Sequence, residues 1–317
     1  MAEKMVKCAF IFPGQGSQYR GMGKEFAAMS AGAREIFEEA DDILGMGLSK
    51  IIFDGDAQQL RQTKVTQPAI LVTSMAAFTV LREHGFLPDA TAGLSLGEYS
   101  ALVCAGSLTF TDALPLVQKR AVYMQEAVPD GKGGMAAILG LGPQEVALLC
   151  KEACHLGHVE PVNFNCPGQI VIAGYVGALE EACRLAKKEK ARAIMLSVSA
   201  PFHSRLLATI EGKMFSLLKD VDIKKPSIPF VANISACYIN EPQGIRDSLI
   251  KQVFNPVYWE NTIELLIRDG YNLFVEVGPG RTLTGFMKKI NRDVKSFYVQ
   301  DGETLKKLLN HLEEIAL

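Results

Sequence analysis

Gly93-Leu94-Ser95-Leu96-Gly97 decides how this chain is read. The spacing is G-x-S-x-G, that of a nucleophile elbow. A serine at its centre sits on a sharp strand-to-helix turn that the flanking glycines permit. The turn pushes the hydroxyl out of the sheet, and the N–H of Leu96 is then placed to receive a developing oxyanion. Small residues, Ala90 to Ala92, precede the motif, and a helix-like run, Glu98 to Ala105, follows until Gly106 stops it. The competing reading is a chance pentapeptide in a chain with 28 glycines, so the surroundings must decide. If the elbow is real, the chemistry is covalent acyl transfer through serine.

Outward from the elbow, strands alternate with helices. Cys8–Phe12 reads as a buried strand, followed by the loop Pro13-Gly14-Gln15-Gly16-Ser17-Gln18 and a helical region towards Asp41. A helix is expected over Gln67–His84, with Pro68 in its first turn and Gly85 at its end, and another over Thr111–Val128. The middle has a different rhythm. Strand Met135–Leu141, helix Gln144–Gly157, strands Val159–Phe164 and Gln169–Ala173, helix Ala178–Lys190 and strand Ala193–Val198 give the order βαββαβ, the ferredoxin-like pattern. Gly131-Lys132-Gly133-Gly134 and Ser199-Ala200-Pro201 bound it. Beyond it come a helix after His203, strands Pro229–Ile234 and Leu273–Val277, and a helix from Glu303. The expected fold class is α/β: a parallel, doubly wound sheet formed by residues 1–128 and 199–317, with a ferredoxin-like subdomain at 129–198 inserted into it. A site is expected at the strand carboxyl ends, in the cleft between the two parts.

Composition narrows the function. The net charge is −2 with 21% charged residues, so no global field draws nucleic acid or an anionic membrane. Cys8–Phe12 is too short for a signal-peptide core, and Ala69–Leu81 is broken by Thr73, Ser74 and Thr79 and does not span a bilayer. Seven scattered cysteines, an odd count, suit free thiols in a reducing cytoplasm. Cys150, Cys154, His155 and His158 cluster in sequence, but no second pair completes a four-ligand set. A helix with buried thiols and surface histidines is the expected arrangement there, and no metal is called for.

A serine nucleophile needs a base, and the chain has five histidines. His84 and His311 fall in expected surface helices, and His155 and His158 flank a polar loop. His203 follows Pro201-Phe202 at the end of an apolar strand, near the level at which Ser95 emerges, and is the candidate base by elimination. A structural core histidine is the alternative. No carboxylate stands in a matching loop to orient the imidazole, so a main-chain carbonyl is the expected partner. The glycine-rich loop around Gln15 offers backbone N–H groups to an anion, or is simply a tight turn. Arg120 lies about 80° from the centre of its helix's apolar stripe of Leu114, Val117, Ala121, Met124 and Val128. It either turns inward to meet a carboxylate or lies on the surface.

Eight segments in order carry a resemblance over nearly the whole chain: FPGQGSQ at 12–18, TQPAI at 66–70, GLSLGEYSALVCAG at 93–106, QEAVP at 125–129, PVNFNCPGQIVIAG at 161–174, APFHS at 200–204, NPVYW at 255–259 and EVGPG at 276–280. Together they resemble the malonyl-CoA:acyl-carrier-protein transacylases, stand-alone acyltransferases of fatty acid synthesis. The resemblance implies an α/β-hydrolase-like domain with a ferredoxin-like insert. It implies Ser95 as nucleophile, His203 as general base and acid, and the N–H groups of Gln15 and Leu96 as the oxyanion hole. Arg120 would grip the malonyl carboxylate, with Asn163, Asn165, Phe202 and Met124 as further substrate-binding residues. A main-chain carbonyl from the segment matching NPVYW would orient the imidazole. Two features depart from or vary within the pattern: the family often has histidine where this chain has Leu94, and Phe202 is the residue that tends to accompany malonyl use in related domains. The implied partners are malonyl-CoA and an acidic acyl carrier protein, with no cofactor, metal, nucleic acid or membrane, in a cytoplasmic monomer. Lys187, Lys188, Lys190 and Arg192, or Lys288, Lys289 and Arg292, are candidate carrier-docking clusters. A trans-acting acyltransferase of a polyketide synthase, a serine hydrolase and an inactive carrier-binding scaffold are the other readings.

Overall fold

Two sheets organise the chain, and the computed structural model describes residues 6–129, 131–198 and 200–316. Strands β1 (Cys8–Phe12), β2 (Ala90–Gly93), β7 (Phe230–Ala232), β8 (Cys237–Tyr238), β9 (Leu273–Val277) and β10 (Lys295–Val299) form one sheet in the order β10-β9-β1-β2-β7-β8. All its pairings are parallel except β7–β8 at the edge. Strands β3 (Gly133–Leu139), β4 (Val159–Cys166), β5 (Gln169–Tyr175) and β6 (Arg192–Met195) form an antiparallel sheet in the order β4-β5-β3-β6. Helices Pro143–Ala153 and Val176–Lys188 complete the order βαββαβ in that segment. Ser199, read from the sequence as part of its closing link, lies outside the described residues.

The alternation of β1 explains why it is central. Cys8, Phe10 and Phe12 point into one apolar cluster, and Ala9 and Ile11 into another on the opposite face. A strand apolar on both faces must be covered on both, as a parallel sheet with flanking helices provides. Helix Thr63–Glu83 covers the first face. It is long and apolar enough to cross a membrane, yet 94% of its apolar window is buried within the fold. A third cluster, around Ile138, Leu149, Ile172 and Leu179, is the core beneath the antiparallel sheet.

Several sequence expectations shift. The helix expected from Gln67 begins at Thr63, so Pro68 lies inside it rather than in its first turn. The carbonyl that loses a partner there belongs to Lys64, the exposed residue of an otherwise buried first turn. The helical region before Asp41 is two helices, Lys24–Met29 and Ala31–Leu44, because Ser30 is extended and caps the second through Ala33 N. After His203 the chain makes a 3-10 turn, Arg205–Ile210, before helix Glu211–Leu218. Strand β6 ends at Met195, three residues short of Val198. Cys150 is buried but Cys154 is exposed, so the two thiols do not share a core. His311 is half-buried and stacked on Phe297, with ring centroids 4.8 Å apart.

Register places the site. Phe12 pairs with Gly93, and Ala92 with Val231. Chains leaving β1, β2 and β7 therefore emerge at one level, and Gln15, Ser95 and Asn233 meet at the carboxyl edge of the sheet. The antiparallel sheet closes over this edge. Strand β4 extends its pairing into the segment after helix Pro242–Gln252, with Phe164 N–H donating to Val257 O (2.9 Å) and Val257 N–H to Val162 O (2.8 Å).

Candidate active site

Ser95 occupies the turn between β2 and helix Gly97–Cys104 with φ 53°, a left-handed backbone rare outside glycine. The flanking glycines are sterically required. A Cβ on Gly93 would strike the Gly97 carbonyl, and one on Gly97 would strike the Phe12 carbonyl. The strained turn, costing about 1–2 kcal/mol, is held by Asn233. Its Oδ1 accepts from Ser95 N–H (2.6 Å) and its Nδ2 donates to Gly93 O (2.6 Å).

His203 stands opposite, 3% exposed and also left-handed, with φ 63°. The Ser95 hydroxyl donates to its Nε2 across 2.7 Å. Its Nδ1–H donates to the main-chain carbonyl of Gln252 at 2.8 Å, which fixes the tautomer that leaves Nε2 free to accept. The orienting carbonyl is thus a main-chain group, as expected, but it precedes the NPVYW segment by three residues. The helix ending at Gln252 turns that carbonyl towards the ring, while Asn255 of the segment supplies a second backbone contact. Burial, and then the Arg120 charge, lower the His203 pKa from 6.5 to about 3 against these two backbone contacts, so the ring is a neutral base.

Arg120 turns inward and is fully buried. Its border position on the stripe left both outcomes open. It is buried because helix Phe110–Glu126 packs against helices Ala31–Leu44, Thr63–Glu83, Gly97–Cys104 and Glu211–Leu218. Nη1 donates to Gln67 Oε1 (2.6 Å), and Nη2 to Gln252 Oε1 (2.7 Å) and Ser95 Oγ (3.2 Å). The guanidinium carbon lies 5.6 Å from the centroid of the Tyr99 ring. Burial lowers the Arg120 pKa, but a guanidinium stays charged. Its Nε has no hydrogen-bond partner among the described residues.

Gln15, Ser95, Met124, Asn163, Asn165, Phe202 and His203 line one cavity of 210 Å³ between the two sheets, together with Leu94, Gln67 and Phe286. Leu96 is 1% exposed at the start of the helix after Ser95. Among the described residues, neither the Gln15 nor the Leu96 N–H has a partner within the chain. Asn165 Oδ1 is buried and has no partner among the described residues. Seven of the candidate residues read from the sequence therefore share one cavity, while Arg120 stands behind its lining, bonded to Gln67 and Ser95, and Leu96 lies beneath the serine turn. Sequence reading missed Asn233, Gln252 and Glu98. The last is fully buried behind the serine, and its carboxylate accepts from Gln252 Nε2 and Asn233 N–H.

A half-buried serine hydroxyl on a neutral imidazole, with free N–H groups beside it, can attack a carbonyl and hold the resulting oxyanion. Comparison with known proteins agrees with that chemistry. The family model for the acyl transferase domain matches residues 9–306. The chain belongs to the acyl transferase domain family. Among curated acyl transferases, the malonyl CoA-acyl carrier protein transacylase of Bacillus subtilis (strain 168) is 46% identical over 312 residues, covering 98% of each chain. The acyl-carrier-protein S-malonyltransferase of Burkholderia pseudomallei 1710b superposes with a TM-score of 0.94 at 45% identity, covering 96% of this chain and 100% of that one. An acyl transferase solved as a type II PKS acyl-carrier protein in complex with its malonyl-transacylase superposes with a TM-score of 0.94 at 40% identity, covering 96% and 100%.

Proposed function

We infer that this acyl transferase moves a malonyl group from malonyl-CoA to the phosphopantetheine thiol of an acyl carrier protein, as the names of its relatives indicate for them. The observation that carries the malonyl assignment is Arg120: a fully buried guanidinium beside Ser95 with an unspent Nε–H. A neutral acyl group has no use for such a cation, whereas a free carboxylate can pair with it bidentately.

The reaction runs in two halves. His203 Nε2 takes the Ser95 proton as Oγ attacks the thioester carbonyl. The oxyanion is received by the N–H groups of Gln15 and Leu96, each worth about 3–4 kcal/mol in comparable sites. The carbon–sulfur bond breaks, and His203 returns its proton to the departing coenzyme A thiolate, leaving malonyl-Ser95. The carrier's thiol then attacks this ester by the reverse path. Asn163, Asn165, Phe202 and Met124 shape the acyl pocket around Arg120, with Leu94 in the place of the histidine common in the family. No cofactor or metal enters these steps.

The parallel sheet serves as an α/β-hydrolase-like unit, residues 1–128 and 199–317. The strand order β4-β5-β3-β6 supports a ferredoxin-like insert at 129–198. The carrier-bound relative supports an acyl carrier protein as partner. The exposed clusters Lys187, Lys188, Lys190 and Arg192, or Lys288, Lys289 and Arg292, are the candidate docking surfaces for an acidic carrier. A cytoplasmic monomer supplying extender units for fatty acid synthesis completes the reading.

Intact-protein mass after mixing with malonyl-CoA, beside acetyl-CoA and a Ser95→Ala control, tests it. A malonyl adduct absent from the control and weak with acetyl-CoA is expected. Coenzyme A release without an adduct would favour a hydrolase instead.

A further inference from the structure

Glu98 is fully buried in the first turn of the helix after the elbow and does not line the cleft. A carboxylate in such a place must have hydrogen-bond donors around it. Oε1 accepts from the main-chain N–H of Asn233 (3.3 Å), and Oε2 accepts from Gln252 Nε2. The same Nε2 donates to Ser95 O (2.9 Å), while Gln252 Oε1 accepts from Arg120 Nη2 (2.7 Å). The Gln252 amide is therefore polarised by its surroundings. Turned over, it would set its nitrogen against the guanidinium and its oxygen against two acceptors. Glu98 Oε2 is the side-chain member of the pair of acceptors that keeps it the right way round.

We propose that Glu98 is a positioning residue that aims the Arg120 guanidinium at the acyl carboxylate, acting through the Gln252 amide. This rests on the reading of Arg120 given under Proposed function. A glutamine at position 98 must present an N–H to one of the two donors that the carboxylate now satisfies. Directed at Gln252, that N–H allows the Gln252 amide to turn and offer its nitrogen to Arg120. The guanidinium then loses its 2.7 Å anchor and its direction, and Ser95 O its 2.9 Å donor, while the Ser95–His203 bond and the main-chain bond from His203 to Gln252 O do not pass through the amide. The competing role for Glu98 is support of the elbow through Asn233. That role acts on the serine backbone and so strikes every acyl donor alike.

The experiment measures kcat and KM for serine acylation by malonyl-CoA and acetyl-CoA in full-length Glu98→Gln, Glu98→Asp and Arg120→Ala, with melting curves to confirm folding. For Glu98→Gln, KM for malonyl-CoA is expected to rise about tenfold, and the malonyl-to-acetyl ratio of kcat/KM to fall by the same factor. Glu98→Asp keeps the carboxyl group but, one methylene shorter, reaches one donor only, and its ratio is expected between wild type and Glu98→Gln. It carries the test alone if Glu98→Gln does not fold. Equal loss with both donors overturns the proposal in favour of elbow support, and an unchanged ratio in the folded variants overturns it outright. If Arg120→Ala itself leaves the ratio intact, the reading of Arg120 fails. If Arg120→Ala lowers the ratio and the Glu98 variants do not, only the present proposal fails.

Discussion

Ser95 Oγ and His203 Nε2 stand 2.7 Å apart, and both residues hold a left-handed backbone. Two strained non-glycine positions facing each other are paid for only where the surroundings over-determine them, as Asn233 does at Ser95 and Gln252 does at His203. His203→Ala is expected to slow acyl-serine formation by about a thousandfold or more while leaving the fold intact. Rapid-quench mass spectrometry with malonyl-CoA measures this, and a variant within tenfold of wild type would remove His203 from the base role.

Arg120→Ala is expected to lower kcat/KM for malonyl-CoA about a hundredfold, since a buried charged hydrogen-bond partner beside Ser95 is lost. Acetyl loading should gain relative to malonyl loading. Arg120→Lys should recover little, because an ammonium cannot reach Gln67, Gln252 and a carboxylate with one fork. Parallel titrations with the two donors decide it, and preserved discrimination in Arg120→Ala would sink the assignment.

Acidification separates rate from stability. With its pKa at about 3, folded His203 stays an unprotonated base, so acylation by acetyl-CoA should change little between pH 7.5 and 5. A rate that halves near pH 6.5 would mean an ordinary imidazole. The unfolded chain binds that proton near pH 6.5, so it holds more protons than the folded chain between pH 6.5 and 3. Stability contributed by this group is therefore lost as pH falls through that window. Glu98 works in the opposite direction. Burial raises it to about 7 against its hydrogen bonds, so its contribution falls as pH rises from about 4.5 to 7. Denaturant midpoints of His203→Ala and Glu98→Gln across this range should diverge from wild type in opposite senses.

Asn233→Ala removes both side-chain bonds that pin the elbow. A loss of about 1–3 kcal/mol in stability is expected, together with slower acylation by malonyl- and acetyl-CoA alike. Urea melts and the same two-donor assay measure both. A selective loss of malonyl transfer would contradict its role as a clamp on the serine backbone.

Charge reversal at Lys187, Lys188 and Arg192, or separately at Lys288, Lys289 and Arg292, should raise KM for the carrier protein several-fold in the cluster that docks it, and leave loading from malonyl-CoA unchanged. A cluster whose reversal leaves carrier KM at the wild-type value is excluded.

Much of the site was legible because its signals are local. The elbow is five consecutive residues, and His203 was left by elimination among five histidines, although the strand read just before it ends eight residues earlier, at Met195. Arg120 was ambiguous because one helical stripe describes one buried face, whereas its helix is packed on several. Asn233 and Gln252 carried no local signal at all. Asn233 lies 138 residues from Ser95, and the Gln252 carbonyl 49 residues from His203, so only the finished sheet brings them together. Glu98 looked like an ordinary acidic residue in a first helical turn. The strands β8 and β10 escaped notice for a related reason: both are edge strands, one of two residues and the other half-exposed, with too little apolar alternation to stand out.

The backbone bonds between Val257 and the Val162–Phe164 stretch make one wall of the cleft continuous with the bed on which Ser95 rests. That wall cannot swing away without breaking main-chain hydrogen bonds. The opposite lip, where Val198 borders both the cleft and a neighbouring 450 Å³ hollow beside Arg61 and Lys64, has no such seam among the described residues. The two flanks of the cleft are therefore unequal: one is stitched to the bed of the serine by main-chain bonds, and the other opens through Val198 towards the neighbouring hollow.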